Sequence, residues 1–256
     1  MSAGADVLTA AQVRERIGSV RTWYHRIPIR PGIVTPGVHD SAAMLASLEL
    51  PADCRGLRVL DLGTRDGFFA FELERRGAEV LAVDYMAAEE TGFQVVAELL
   101  GSKVRHLWAN VYELSPERIG SFDIVLFLGL LYHLPDPVRA LTIARSLCRS
   151  RMWLESHTID NGVLLAEGSS APLRRLAPAL ADVPLMQFYP GRSLGDDPTN
   201  YWGPNLACLH AMLHECRFTV RSSKLSGSRA IVECVTAEAR DLEYLEQIAR
   251  GRVGRT

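Results

Sequence analysis

The sequence has no surplus of positive charge, no long apolar run and no internal repeat. Its 28 Lys and Arg residues are balanced by 30 Asp and Glu residues, for a formal net charge of -2. A dedicated nucleic-acid-binding protein usually has a basic surplus. A membrane-spanning helix needs roughly 18 consecutive apolar residues, and no run approaches that length. We therefore expect neither a nucleic-acid partner nor a membrane span, while a local basic patch stays open.

Cysteine is scarce and scattered. The five cysteines form an odd number with wide spacings and no CxxC pair: Cys54, Cys148, Cys208, Cys216 and Cys234. This pattern is typical of reduced, buried thiols and argues against a disulfide framework or a cysteine zinc site. The first residues, MSAGADVLTAAQVRER, mix acids with bases and have no apolar core, so we expect no secretory signal and a cytoplasmic protein.

Apolar runs alternate with helical stretches from residue 57 onwards. The five apolar runs are residues 57–62, 79–84, 103–108, 122–130 and 151–156. Repeated strand–helix units predict a parallel sheet that helices cover on both faces. Two final runs, 218–225 and 229–237, flank a short SGS turn and predict an antiparallel edge hairpin. The predicted fold class is α/β, and a last helix is predicted at 237–252.

Two regions differ from this alternation. Residues 1–50 combine short helices with a proline-rich loop, and we interpret them as an N-terminal cap on a domain at 51–256. Residues 157–200 are rich in proline and glycine and contain one short helical pattern. So long a stretch is usually a lid or binding loop, or else disordered. We predict a lid insertion there.

The most informative local pattern is VLDLGTRDGFF at 59–69. A buried strand ends in Asp61, and Gly63 and Gly67 frame a tight turn into a helix, where a ligand can approach the backbone. One helix later a strand ends in Asp84, where an acid typically binds a ribose diol. The turn does not match the G-x-G-x-x-G dinucleotide fingerprint, and its acid favours the ammonium group of S-adenosylmethionine over a pyrophosphate. A nicotinamide cofactor, or glycines needed only for packing, remain alternatives.

Longer stretches carry a family resemblance. VLDLGTRDG, AVD, FDIVLFLGLLYHLPDP and the final hairpin resemble the class I, Rossmann-like S-adenosylmethionine-dependent methyltransferases. TWYHRIPIRPGIVTPG, GLLYHL, LES and DPTNYWGPN resemble more narrowly the tRNA wobble-uridine carboxymethyltransferase branch and its small-molecule relatives. The resemblance covers about residues 20–235. It implies an enzyme with a seven-stranded, mostly parallel sheet and an antiparallel C-terminal hairpin.

The resemblance also implies cofactor contacts. The methionine part would be held by Asp61, Gly63, Thr64 and Gly67, the ribose by Asp84 and Tyr85, the adenine by Asn110 and Val111, and the sulfonium by Leu128 and Gly129. The wobble-uridine enzymes use a carboxylated cofactor. Their N-terminal basic residues are not clearly matched here, so plain S-adenosylmethionine is expected rather than carboxy-S-adenosylmethionine.

Candidate catalytic residues follow the fourth and fifth strands. Ligands bind outside the carboxyl ends of parallel strands, so Tyr132 and His133 are expected beside the transferred methyl group. His133 is either a general base or a loop cap that bonds a backbone carbonyl. Glu155 orients a histidine, binds a substrate hydroxyl, acts as a base for a carbon nucleophile, or forms a salt bridge to an arginine. No recognised metal spacing joins these residues, and the need for a metal stays open.

Aromatic and polar side chains in the two flanking segments are candidates for substrate binding. They are Trp23, Tyr24, His25, His157, Arg192, Asn200, Tyr201 and Trp202. Such a set suits a sugar, a nucleobase or another flat polar molecule, but it could equally form the core of a lid. His210 and His214 stand four apart on a helix without the H-E-x-x-H pattern, and we interpret them as surface or packing residues.

Together these patterns predict methyl transfer from S-adenosylmethionine to a small molecule, first of all to a hydroxyl of a sugar or natural product. Three alternatives stay open: a tRNA wobble-uridine modifying enzyme, a C-methyltransferase of a small metabolite, and a non-enzymatic nucleoside-binding scaffold. The oligomeric state is left open.

Overall fold

The structure is a computed structural model, and it describes residues 8–237. The strands are β1 (Pro28–Arg30), β2 (Ile33–Val34), β3 (Arg58–Leu62), β4 (Glu79–Asp84), β5 (Arg105–Trp108), β6 (Phe122–Leu128), β7 (Cys148–His157), β8 (Val163–Leu164), β9 (Ser170–Ala171), β10 (Met186–Phe188), β11 (Trp202–Pro204), β12 (Phe218–Ser226) and β13 (Arg229–Thr236). The helices are α1 (Ala10–Gly18), α2 (Ser41–Leu48), α3 (Phe68–Arg75), α4 (Phe93–Leu100), α5 (Pro116–Ile119), α6 (Pro137–Leu147), α7 (Leu173–Leu176) and α8 (Leu206–Glu215).

A seven-stranded sheet organises the molecule, with the strand order β12-β13-β7-β6-β3-β4-β5. Strands β3 to β7 pair in parallel, whereas β13 pairs antiparallel with both β7 and β12. The chain leaves β3 towards β4 and β5 and later returns to its other side with β6. This reversal between β3 and β6 is the topological switch point, where α/β sheets usually bind ligands. The predicted fold class is confirmed.

The central strands are apolar on both faces because both faces are covered. Val59 packs in one hydrophobic cluster and its neighbour Leu60 in the other, and both side chains are fully buried. Leu126 and Phe127 divide in the same way between the clusters. Each such side chain contributes about 1.5–3 kcal/mol by its removal from water. Two-sided burial therefore holds the sheet rigid, and its strand ends give a firm base for a site.

Strand β6 ends earlier than its apolar run predicts. The run continues to residue 130, but the strand stops at Leu128 because Gly129 turns the chain with a φ of +68°. Leu131–His133 then form a short 3₁₀ turn. Tyr132 and His133 lie in this turn, beyond the end of the strand, as the sequence predicts.

The region 157–200 is less irregular than its composition predicts. It contains the paired strands β8 and β9 and the single turn of α7. It also contains β10, which pairs with β11 just beyond the region. Tyr189, only 2% exposed, joins Ile159 and Leu173 in a small core of its own. Residues 157–200 therefore form a structured segment with a small hydrophobic core.

Other sequence predictions concern single features. The five cysteines are free and buried, as predicted. Within residues 8–237, each helix is too short or too polar to cross a bilayer. The helix predicted at 237–252 lies, apart from its first residue, outside the described residues.

Candidate active site

A cleft of about 820 Å³ opens above the carboxyl ends of β3, β4, β6 and β7. The turns that follow these strands form one wall, and the N-terminal segment, the end of the insertion and the β12–β13 turn form the other. Most of the residues predicted to bind cofactor line it: Asp61, Gly63, Thr64, Asp84, Tyr85, Asn110, Val111, Leu128 and Gly129. The switch point of the sheet thus coincides with the cleft.

The glycine turn after β3 is shaped by backbone geometry and close packing. Gly63 has a φ of +74° and Gly67 a φ of +89°. A Cβ atom on Gly67 would lie 2.5 Å from the Phe71 ring and 2.7 Å from the Phe93 ring. Gly67 does not line the cleft; it is the N-cap of α3. Its need for glycine comes from packing and backbone conformation.

Asp61 is buried beneath the glycine turn and is hydrogen-bonded to it. It is 2% exposed, and its Oδ2 accepts a hydrogen bond of 2.7 Å from Thr64 Oγ1. Burial raises the pKa of the Asp61 carboxyl to about 7, although the Thr64 hydrogen bond opposes the rise and the nearby Asp84 charge adds to it. Asp61 therefore fixes Thr64 and keeps a proton-sensitive carboxyl beneath the turn.

Asp84, at the end of β4, keeps free hydrogen-bonding capacity. Its Oδ2 accepts from the Arg65 N–H at 2.8 Å and its Oδ1 from the Met86 N–H at 2.9 Å. A carboxylate offers about four lone-pair positions, so each oxygen can accept one further bond. These two bonds hold the carboxylate still, and the remaining lone pairs suit a vicinal diol.

The N-terminal segment is fastened to the glycine turn by a buried carboxylate. Asp66, which is fully buried, accepts the backbone N–H groups of Tyr24 and His25 at 2.7 and 2.8 Å on Oδ2. Its Oδ1 accepts from the Gly92 N–H at 3.0 Å. One side chain of the GTRDG turn thereby places the aromatic segment over the cleft.

Glu155 and Arg229 form an ion pair in the wall of the cleft. The Nε of Arg229 lies 2.6 Å from Oε1 of Glu155, and its Nη2 donates to the Tyr132 hydroxyl at 3.0 Å. Burial raises the pKa of the Glu155 carboxyl, and the Arg229 charge opposes that rise. Burial also raises the pKa of Tyr132 to about 12. Of the roles considered for Glu155, the salt bridge is the one that the structure shows.

The histidines of the cleft are neutral near pH 7. Burial lowers the pKa of His25 to about 3 and that of His157 to about 4. Burial also lowers the pKa of His133, which the Asp197 charge and a Thr199 hydrogen bond partly restore. His157 is held by a 2.9 Å hydrogen bond between its Nε2 and the Tyr189 hydroxyl. These imidazoles can therefore accept as well as donate hydrogen bonds.

Three predicted substrate residues lie elsewhere. Trp23 packs on Gly92 within the core cluster on one face of the sheet, and its Nε1 donates to Ile17 O at 3.0 Å. Arg192 is exposed and pairs with Asp196 at 3.5 Å. Trp202 packs against Phe188, with 5.1 Å between the ring centroids. Aromatic or basic character alone did not distinguish these side chains from the true lining residues.

The remaining predicted residues do line the cleft, and several others join them. Tyr24, His25, Tyr132, His133, Glu155, His157, Asn200 and Tyr201 all lie along its wall. Sequence reasoning missed His39, Arg65, Asp197, Thr199 and Arg229. The two histidines His210 and His214 are on α8 and do not line the cleft, in line with their interpretation as surface or packing residues. Among residues 8–237, no group of three or more His, Cys, Asp or Glu side chains is arranged to hold a metal ion.

Solved structures with the same fold include the N-terminal domain of EvdMO1, crystallised in the presence of S-adenosylhomocysteine and D-fucose. It has a TM-score of 0.63 and 22% identity, covering 93% of this chain and 100% of that one. A second is the 1,6-didemethyltoxoflavin-N1-methyltransferase of Burkholderia thailandensis, with a TM-score of 0.52, 20% identity and 93% coverage of both chains. Bound S-adenosylmethionine or S-adenosylhomocysteine in such structures agrees with the cofactor predicted here.

Curated relatives match over a shorter stretch. The ubiquinone biosynthesis O-methyltransferase of Bordetella avium is 29% identical over 112 residues, which are 44% of this chain and 46% of that protein. The corresponding enzyme of Xanthomonas axonopodis pv. citri is 35% identical over 95 residues, 37% of this chain and 39% of that protein. The chain thus spans less than half the length of these relatives. The narrower resemblance to the wobble-uridine branch stays a prediction.

A family model described as a methyltransferase domain matches residues 38–197. This span contains the glycine turn, Asp84, the loop with His133, and Glu155. Because the match covers more than half of the chain, the protein belongs to this family of methyltransferase domains.

Proposed function

We propose that the protein transfers a methyl group from S-adenosylmethionine to a hydroxyl group of a small, uncharged molecule, with His133 as the general base. One observation carries the proposal: a single cleft holds Asp84 and the glycine turn on one side and a neutral imidazole on the other. The O-methyltransferase names of the curated relatives support oxygen as the acceptor atom.

The residues present fit S-adenosylmethionine. Asp84 keeps lone pairs for two ribose hydroxyls, and Asn110 and Val111 lie beside it at the end of β5. Gly63 and Gly129 have no side chain, so a ligand can approach the backbone at the carboxyl ends of β3 and β6. When bound, S-adenosylmethionine supplies a methyl group that a nucleophile removes by direct displacement. Alignment of that nucleophile by the surrounding side chains can supply several kcal/mol of the rate enhancement.

His133 is the residue placed to take a proton. A hydroxyl group must lose its proton as its oxygen becomes bonded to carbon, and a neutral imidazole in the cleft can hold that proton. Burial lowers the pKa of His133, so its neutral form predominates at pH 7. His133 would receive the proton on a ring nitrogen and release it to solvent after the product leaves.

The acceptor side favours hydroxyl groups over charged groups. Arg229 is neutralised by Glu155, while Tyr24, Tyr132 and the neutral His157 offer both donors and acceptors. A ring of uncharged hydrogen-bonding groups suits a sugar or a hydroxylated natural product. The presence of D-fucose with the EvdMO1 domain supports a sugar as the first class to test.

The proposal is tested by an assay of S-adenosylhomocysteine release. The protein is incubated with S-adenosylmethionine and a panel of neutral sugars, including D-fucose, and of o-dihydroxyaromatic compounds. We expect release that depends on one class of acceptor and falls at least 100-fold in His133→Gln, since a general base typically contributes 10²–10⁴ in rate. Release with carboxylated or phosphorylated acceptors alone would contradict the proposed neutral acceptor.

A further inference from the structure

The end of the insertion is hydrogen-bonded to the loop that carries His133. The Tyr201 N–H donates to the Tyr132 carbonyl at 2.8 Å. The Trp202 Nε1–H donates to the Pro135 carbonyl at 3.3 Å. These two hydrogen bonds join Tyr201 and Trp202 to backbone carbonyls on either side of His133. Thr199, two residues before Tyr201, contacts the imidazole of His133 directly.

Thr199 determines which nitrogen of His133 carries the proton. The Nδ1 of His133 lies 2.9 Å from Thr199 Oγ1 and 3.3 Å from the Thr199 carbonyl oxygen. A carbonyl oxygen can only accept, so Nδ1 is the donor of the longer contact. The Thr199 hydroxyl gives its own hydrogen to Asp197 Oδ1 at 2.6 Å, so it also accepts from Nδ1. Both partners require the Nδ1–H tautomer.

The other ring nitrogen is then left as an acceptor. In a neutral imidazole with hydrogen on Nδ1, the lone pair is on Nε2. Among the residues that the structure describes, no hydrogen-bond partner of Nε2 is found, and Nε2 is not one of the buried unpaired atoms. Because His133 lines the cleft, that lone pair is accessible from it.

We propose that Asp197 and Thr199 are positioning residues that fix the Nδ1–H tautomer of His133 and thereby present Nε2 as the proton acceptor. Asp197 holds Thr199 by two hydrogen bonds, because its Oδ1 accepts the Thr199 N–H at 2.8 Å as well as the Thr199 hydroxyl at 2.6 Å. The use of the Nε2 lone pair in catalysis rests on the proposed function, whereas the tautomer is a property of the protein alone.

Among the described residues, the charges of Asp197, Arg229 and Arg65 act on the pKa of His133. Asp197 raises the pKa of His133, while Arg229 from β13 and Arg65 from the glycine turn lower it. The Tyr132 ring packs on it with 4.2 Å between centroids. Replacing Asp197 by Asn removes the one acidic contribution among these, so the pKa of His133 should fall. The acid limb of the pH–rate profile should move to lower pH with it.

The tautomer is measured by long-range ¹H–¹⁵N correlation spectroscopy of the full chain with ¹⁵N-labelled histidine, saturated with S-adenosylhomocysteine at pH 8. His133→Gln identifies the signal by its loss. We expect the Nδ1–H pattern in the wild type, although free histidine in water prefers Nε2–H. Thr199→Val, which keeps the shape and removes the hydroxyl, should shift the pattern towards Nε2–H and lower kcat about tenfold. Thr199→Ser should restore both.

A matched pair of charge variants tests Asp197. Asp197→Asn should lower the pKa of His133 in an NMR titration, whereas Asp196→Asn should leave it nearly unchanged, because the exposed Asp196 pairs with Arg192. In both variants cofactor affinity should be close to that of the wild type. A structural role alone would move neither the tautomer nor the pKa of His133 selectively.

An Nε2–H pattern in the wild type would overturn the proposal. An unchanged pattern in Thr199→Val would assign the tautomer to the Thr199 carbonyl and would refute the positioning role of the Thr199 hydroxyl and Asp197. Equal pKa shifts in the two aspartate variants would remove Asp197 from the proposal. The expected tautomer in a protein that binds no S-adenosylmethionine would uphold the tautomer assignment and refute the proposed function instead, so the two failures are distinguishable.

Discussion

Arg229 Nε lies 2.6 Å from Glu155 Oε1, across the pairing of β13 with β7. The Glu155 side chain is 5% exposed and that of Arg229 34%, so the carboxylate depends on its partner far more than the guanidinium does. The same guanidinium lies 4.9 Å from the centre of the Tyr132 ring. The pair therefore joins three elements of the cleft wall: the end of β7, the start of β13 and the loop after β6.

Removing the guanidinium should destabilise the fold in a pH-dependent way. We expect Arg229→Met to lower the free energy of unfolding by about 2–3 kcal/mol at pH 8, less than a fully buried pair because Arg229 is partly exposed. The pKa of Glu155, already raised by burial, should rise further. A carboxyl with a raised folded-state pKa takes up a proton on folding, so stability is lost as pH rises through that pKa. Urea unfolding at pH 4.5 and 8 measures the difference.

The double variant Arg229→Met with Glu155→Gln is the control. With neither charge of the pair left, it should be more stable at pH 8 than Arg229→Met and should lose the additional pH dependence that Glu155 causes in that variant. A single variant as stable as the wild type at pH 8 would show that Glu155 is hydrated in solution.

The pH profile of methyl transfer should report His133. Since burial lowers its pKa, the rate should rise through a midpoint below the usual imidazole value of about 6.5 and then stay level. His133→Gln should remove this limb together with most of the rate. His214→Gln, on α8 outside the cleft, is the matched control and should leave both unchanged. A midpoint above 7 would contradict the assignment.

Gly67 should tolerate a methyl group poorly. In Gly67→Ala the new Cβ would overlap the Phe71 and Phe93 rings, and the residue would keep a φ of +89°. We expect a loss of about 2–4 kcal/mol, from overpacking and left-handed backbone strain together. Gly227→Ala, with a φ of +58° and no atom within 4 Å of its Cβ, isolates the backbone contribution at about 1 kcal/mol. Equal losses in urea unfolding would eliminate the packing argument.

Asp66 should control the docking of the N-terminal segment. Asp66→Asn replaces one acceptor oxygen by an NH₂ donor and removes the negative charge of the carboxylate. Three N–H groups, those of Tyr24, His25 and Gly92, donate to that carboxylate. Hydrogen bonds to charged groups contribute about 1.5–3 kcal/mol, so the segment should open more often. Hydrogen exchange at residues 22–39 should accelerate at least tenfold relative to β6. Asp182→Asn, an exposed acid, should leave exchange there unchanged; unaltered exchange in Asp66→Asn would show that aromatic packing holds the segment.

The sheet and one side of the cleft were predictable because their signals are local. Apolar runs with helical stretches between them determine parallel strands, and side chains that follow such strands meet at one edge. Asp84 and His133 could be placed for this reason alone. The apolar run continues to residue 130, two residues past the end of β6, because the turn at Gly129 does not interrupt the apolar pattern.

The other side of the cleft depends on pairing and packing that local patterns do not carry. Arg229 reaches Glu155 only through the register of β13 on β7, in which it lies opposite His157. Thr199 reaches His133 only through the fold of the insertion. Trp23 is adjacent to Tyr24 yet packs in the core, because Gly92 leaves room for its ring. The space at Gly92 is created by the packing of the N-terminal segment against the start of α4, which no local pattern encodes.

The central claim is that the cleft binds S-adenosylmethionine through Asp84. Isothermal titration calorimetry of the wild type and of Asp84→Asn, with Asp182→Asn as the control, tests it most directly. We predict one molecule bound per chain and an affinity at least tenfold weaker in Asp84→Asn alone. No binding by the wild type, or equal affinity in the wild type and Asp84→Asn, would contradict it.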